Sequence, residues 1–301
     1  MPILAAFAVP HPPLIIPAVG RGEEKDIRTT VNSYQTVMNE CAKLKPDTVV
    51  ITSPHSIMYA DYFHISPGTG AKGSFGQFGA PGVKIETEYD TEFVRFLENE
   101  CKASGIPAGT EGERNPELDH ATMIPLYFLN TAGGKDYKTV RIGLSGLSPE
   151  MHYKLGKLTA QTADALNKRV VFIASGDLSH KLKADGPYGF SPDGPVFDKQ
   201  CTESLAKADF ASLLGLDPDI CENAAECGLR SFWIMAGALD KKAVTSTLLS
   251  YEGPFGVGYG VASFIVTGND SERNCGEQYK KIEACKLTER KDKEDAYVKL
   301  A

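Results

Sequence analysis

Six histidines lie in this chain of 301 residues, and three of them share a setting. Val9-Pro10-His11-Pro12-Pro13 follows an apolar run over residues 3–9. Thr52-Ser53-Pro54-His55-Ser56 follows a run over 48–52, and Gly176-Asp177-Leu178-Ser179-His180 follows one over 169–174. Each run is of strand type. Open α/β sheets bind ligands beyond the carboxyl ends of their strands, so His11, His55 and His180 are expected to converge on one edge. A fourth, His120 in Leu118-Asp119-His120-Ala121-Thr122, precedes an apolar helical stretch. Asp119 and Asp177 are close enough in sequence to orient an imidazole. His64 falls inside a short strand and His152 at a helix start, and neither is assigned a catalytic role.

Imidazole suits Fe, Zn, Cu and Ni, and two histidines with one carboxylate form the facial triad of non-haem Fe(II) oxygenases. Two late carboxylates are candidates: Glu226 in Ala225-Glu226-Cys227-Gly228, and Glu252 in Ser250-Tyr251-Glu252-Gly253-Pro254. Other chemistries find less support. No G-x-G-x-x-G opens a helix after a strand. The glycine-rich run from Gly253 to Gly260 lacks the lysine of a phosphate-binding loop. Gly143-Leu144-Ser145-Gly146-Leu147 only approximates a nucleophile elbow.

The elements that must carry these residues alternate between strand and helix. Strands are expected over residues 3–9, 48–52, 138–144, 169–174, 244–250 and 257–266. Helices are expected over 23–45, 91–104, 123–129, 149–168, 196–214 and 217–239. Residues 23–45, for example, place Ile27, Val31, Tyr34, Met38, Cys41 and Leu44 at helical spacing. Asp217-Pro218 supplies an N-cap and a first helical position. Such alternation argues for one α/β domain with a largely parallel central sheet flanked by helices. Residues 56–82 hold a short strand near 62–65 and six glycines between 68 and 82, so they read as a binding loop or lid.

Composition bounds the rest. Hydrophobic residues make up 42% and charged residues 24%, as in an ordinary globular protein. A net charge of −7 argues against nucleic acid as a partner. No apolar run is long enough to span a membrane, and prolines interrupt the apolar N-terminus. Seven dispersed cysteines without a C-x-x-C pair suit a reducing, cytoplasmic setting.

Taken together and in order, Pro10-His11-Pro12-Pro13, Ser53-Pro54-His55-Ser56, Leu118-Asp119-His120-Ala121 and Ser175-Gly176-Asp177-Leu178-Ser179-His180 resemble the LigB-like superfamily. That group holds the catalytic subunits of class III extradiol ring-cleavage dioxygenases and the related Memo proteins. The resemblance covers residues 1–268. The stretches 225–230 and 251–260 look like the branch nearest Memo, whose members often carry a following AMMECR-type domain. The resemblance implies a LigB-like α/β fold with His11 and His55 as metal ligands. It implies that His180 is an acid/base beside the metal and that His120 either faces the substrate or supports the metal ligands from behind. It implies Fe(II), with Zn or Cu as alternatives, and a catechol-like aromatic and dioxygen as reactants. The rival readings are a Memo-like metal- or peptide-binding protein without ring cleavage, and a metal-dependent hydrolase.

Dioxygenases of this kind place glutamate as the third ligand, and Memo places cysteine. This chain has Glu226 and Cys227 side by side. On one helix the two point about 100° apart, so only one can face the histidines. A carboxylate suits Fe(II) and a thiolate suits Cu(I) or Zn. A buried glutamate needs a partner such as a metal, whereas Cys227 beside Gly228 works as a small core residue. Glu226 is therefore the expected third ligand, ahead of Cys227 and then Glu252.

The last stretch is different in kind. Residues 271–301 carry eight basic and seven acidic side chains, so the LigB-like catalytic and metal-binding domain is expected over 1–270. The remainder reads as a charged linker or the start of a truncated second domain, packed loosely on the body. The wording of 293–301 resembles the opening of an AMMECR-type domain. Homo-oligomerisation is left open.

Overall fold

The computed structural model describes residues 2–293, and side chains as far as residue 288. In chain order its elements begin with β1 (Ile3–Val9), α1 (Pro17–Gly20), α2 (Arg28–Leu44), β2 (Thr48–Ser53) and β3 (Phe63–His64). Next come β4 (Gly70–Phe75), β5 (Ala80–Glu88), α3 (Thr91–Ala103), β6 (Ala108–Gly109), α4 (His120–Thr131) and β7 (Lys138–Gly143). Then follow α5 (Pro149–Ala165), β8 (Val170–Ser175), α6 (Asp193–Lys207), α7 (Phe210–Leu214), α8 (Pro218–Ala224) and α9 (Leu229–Ala238). The elements β9 (Lys242–Glu252), β10 (Tyr259–Asn269) and α10 (Cys275–Lys293) complete them.

Six strands make the central sheet in the order β7-β2-β8-β1-β10-β9. The first four are parallel, and β10 runs antiparallel to both of its neighbours. β2 and β8 are buried along their whole length. This explains their sequences, rich in apolar and β-branched residues with no charge, since a central parallel strand is covered on both faces. Alternation splits the core in two. Ala6, Ala8 and Phe172 point to one face, under α3, α5 and α9. Phe7, Val9 and Ile173 point to the other, under α2 and α4. Each fully buried side chain of this size contributes about 1.5–3 kcal/mol. The single α/β domain read from the sequence is the architecture observed.

Four local expectations need correction. Residues 196–214 are not one helix. Ala208 takes a left-handed conformation (φ 50°) between α6 and α7, and Asp209 restarts the helix by accepting from the Ser212 N–H. Residues 217–239 likewise break at Ala225 (φ 52°) into α8 and α9. Residues 23–27 form a 3-10 turn before α2. The glycine-rich segment 68–82 is mostly the antiparallel hairpin of β4 and β5. One of its glycines has a steric reason. A Cβ on Gly73 would sit 2.6 Å from the Leu118 carbonyl oxygen, so the bare backbone lets the hairpin lie against the segment leading to His120.

The charged tail begins as a docked helix. Cys275 is buried, and the Gly276 N–H donates to the Tyr153 hydroxyl at 3.0 Å. Of the stretch 293–301, residues 294–301 lie outside the described residues. No helix among the described residues is long and apolar enough to cross a membrane.

Candidate metal centre

His11 and His55 leave the carboxyl ends of β1 and β2, and His180 follows β8, which lies between those two strands. The Nε2 atoms of His11 and His55 stand 3.1 Å apart. His120 joins them from the first position of α4, its ring centroid 4.3 Å from that of His55 and 5.4 Å from that of His11. Asp119 places it there by capping α4, accepting from the Thr122 N–H at 3.0 Å. One donor atom from each of His11, His55 and His120 falls within 4.8 Å of the others. A second group within that limit is His11, Asp177 and Cys227, so His11 belongs to both.

Each histidine has a support. His11 Nδ1 is 3.1 Å from Ser175 Oγ, and its backbone N–H donates to Asp177 at 2.7 Å. Its Nε2 therefore faces the centre, 3.6 Å from Cys227 Sγ and 3.8 Å from an Asp177 carboxylate oxygen. His180 Nδ1 is hydrogen-bonded to the Ala225 carbonyl. That carbonyl is presented by the left-handed turn between α8 and α9. The same turn carries Cys227 against Asp177, whose N–H donates to Sγ at 3.3 Å. Two glycines permit the approach. A Cβ on Gly176 would lie 2.0 Å from Gly228 Cα.

Burial and crowding set the protonation states. His11 is held well below the usual imidazole range, first by burial and then by the neighbouring His55, His120 and His180. Burial also lowers His55 and His120, against the pull of Asp119. Neutral imidazoles are the form that ligates a metal. Burial pushes Asp177 up to about 6, and pushes the Cys227 thiol well up.

The remaining expected residues lie elsewhere. Glu226 is the clearest departure. Its carboxylate accepts from the Leu229 N–H at 2.6 Å and so caps α9, and it belongs to neither donor group. The expectation failed because Glu226 and Cys227 are not consecutive on a helix; they occupy the turn after Ala225, where the half-buried glutamate finds a helix terminus as its partner. Glu252 accepts from the Thr30 N–H and hydroxyl, both at 2.6 Å, and caps α2. His180 stands outside the two donor groups, its ring 5.1 Å from that of Tyr188. His64 is buried in β3. His152 packs against Phe63 and Trp233.

One residue was missed. Arg141, in the middle of β7, is 2% exposed and lines a cavity of about 560 Å³ with His55, His120, Gln77 and Phe78. A charged side chain between Val140 and Ile142 in a strand was the available signal, since burial of a guanidinium requires partners.

Residues 5–262 match the family model described as the catalytic LigB subunit of aromatic ring-opening dioxygenase. The chain belongs to the LigB family. Among its relatives, Protein CA_C1420 of Clostridium acetobutylicum is 37% identical over 302 residues, covering 98% of this chain. The alignment takes in 64% of that protein, so this chain spans just under two thirds of its length. The 2-aminophenol 1,6-dioxygenase beta subunit of a Pseudomonas species is 24% identical, with 87% of this chain and 93% of that subunit covered. The 3,4-dihydroxyphenylacetate 2,3-dioxygenase of Escherichia coli is 20% identical over 64% of this chain and 74% of its own. The crystal structure of uncharacterized protein JW3007 from Escherichia coli K12 has a TM-score of 0.53 at 14% identity, covering 87% of this chain and 99% of that one. The LigB chain thus shares its fold with that structure.

Proposed function

We propose that this chain is a non-haem iron-dependent dioxygenase of extradiol type, opening the ring of a catechol-like aromatic, with His11 and His55 as the metal-holding pair. The observation that carries the reading is their Nε2–Nε2 separation of 3.1 Å in a LigB-family chain. Two imidazoles sharing one ion at about 2.0–2.2 Å each would stand roughly 3–4 Å apart. The donor chemistry fits as well, because burial favours the neutral form of the His11 imidazole and Ser175 aims its Nε2 at its partner. The third donor grouped with this pair is His120, whereas Asp177, whose carboxylate lies 3.8 Å from His11 Nε2, falls in the other group with Cys227.

Fe(II) held there would supply open coordination positions where diol and dioxygen meet, sparing the entropy of their encounter. The chain's own residues do the remainder. His180 gives Nδ1 to the Ala225 carbonyl, which leaves the Nε2 lone pair free to take a phenolic proton. His120 and Phe78, whose rings are 5.2 Å apart, form one wall of the cavity. The wall suits a flat aromatic substrate.

Cys227 favours a second reading. A thiol 3.6 Å from His11 suits Cu(I) or Zn, as in a Memo-like metal-binding protein or a zinc-dependent hydrolase. The test is anaerobic reconstitution with Fe(II), Zn(II) and Cu(I), followed by oxygen uptake across a catechol panel. Uptake with Fe(II) alone and a ring-opened product is expected. Tight Cu(I) or Zn(II) binding without oxygen uptake on any catechol would overturn ring cleavage.

A further inference from the structure

We propose that Arg141 is a positioning residue that fixes His55 and His120 relative to one another. The inference rests on reading these two histidines as parts of the metal and substrate site. Arg141 stands in β7, one strand away from the end of β2 that delivers His55. Its Nε donates to the Ser56 hydroxyl at 3.2 Å, the residue after His55. Its Nη1 donates to the Glu117 carbonyl at 3.1 Å, three residues before His120. Nε also lies 3.5 Å from the Asp119 carboxylate, the residue just before His120. Asp119 in turn accepts from the Ser53 hydroxyl at 2.6 Å, on the other side of His55.

The two serines flanking His55 are thus tied to an acid and a base, and that pair frames the approach to His120. The geometry needs a guanidinium. Arg presents donors in a rigid fork, whereas Lys carries one compact charge on a flexible stem. Burial gives the pair further weight: a charge held at 2% exposure is strongly destabilising if its partner is removed. His11 is outside this frame, because Ser175 and Asp177 hold it. A ligand contact is the competing role for Arg141, since Nη2 makes no hydrogen bond among the described residues and the side chain lines the cavity.

The test compares Arg141→Lys, Arg141→Gln and Ser56→Ala in the full chain. Zn(II) affinity is read by chelator competition, and the imidazole signals of the apo protein by ¹H–¹⁵N NMR. Arg141→Lys should lose about 10–100-fold in Zn(II) affinity, the usual cost of removing an outer support. The His55 and His120 signals should move while the His11 signal stays. Ser56→Ala cuts one arm only, so it should move His55 more than His120. It also covers the case in which an Arg141 variant does not fold. Wild-type affinity and unmoved His55 and His120 signals in Arg141→Lys would overturn the proposal. So would wild-type metal affinity combined with selective loss of binding to 3,4-dihydroxybenzoate but not to catechol, which would make Arg141 a ligand contact. If the unmutated chain binds no metal, the metal reading fails, and the NMR shifts still decide whether the brace exists.

Discussion

The two sides of the histidine cluster are built in opposite ways. On the inner side His11 and Asp177 are buried and Cys227 half-buried, and main-chain groups take a direct part in holding them: the His11 N–H donates to Asp177, and the Asp177 N–H donates to Cys227 Sγ. On the outer side His55 is exposed and His120 partly so, and side chains such as Ser53, Ser56, Asp119 and Arg141 hold them. Main-chain support is inherited from the sheet and tolerates few sequence changes. Side-chain support can be altered residue by residue, and it faces the cavity. On the proposed reading the inner side would set which ion is bound, and the outer side what approaches it.

That division can be tested, beginning with the residue common to both sides. His11→Ala should abolish metal binding, by at least 100-fold in a competition titration, because His11 belongs to both donor groups. Retained binding in His11→Ala with loss in His55→Ala would move the ion wholly to the outer side. Next in size is the contrast between Cys227→Ala and Glu226→Ala. The first should weaken Zn(II) or Cu(I) about tenfold, as expected for a donor on the inner side. The second should leave metal affinity within about twofold and instead lower stability by about 1 kcal/mol, the cost of a lost helix cap, read as a lower melting temperature.

The smallest effect concerns protons on the inner side. Asp198 accepts from the Ser179 N–H at 2.7 Å and the Tyr251 hydroxyl at 2.6 Å, and so steadies the segment that carries His180. Burial raises its carboxyl to about 6, above its unfolded value. The folded chain then binds more protons than the unfolded one between roughly pH 4 and pH 6. This group's contribution to stability is therefore largest below pH 4 and falls as pH rises to about 6. Asp198→Asn should flatten the melting temperature between pH 4.5 and pH 7. An unchanged slope would remove Asp198 as its source.

The contrast also explains what could be read in the sequence. The inner strands β1, β2 and β8 were visible as apolar runs, and the histidines just beyond them followed from the general geometry of parallel sheets. The turn holding Cys227 was not visible. Its left-handed Ala225 carries no glycine or asparagine to mark it, so residues 217–239 read as one helix on which Glu226 could face the histidines. Asp177 was recognised only as an orienting group, because its neighbourhood to His11 spans 166 positions in the chain. The hairpin of β4 and β5 was obscured by its glycines, some of which mark close approach rather than disorder. Arg141 needed the cavity to give it a meaning.

The place of β1 in the sheet has a consequence for how the protein is made. Its seven residues lie far in sequence from both of its partners, at Val170–Ser175 and Tyr259–Asn269. The strand stays unpaired and strongly apolar until those distant segments reach it. Contacts so distant in sequence slow folding and leave sticky edges exposed meanwhile. His11 cannot reach Ser175 before that pairing occurs. The histidine cluster is therefore assembled among the last events of folding, once the first strand is seated.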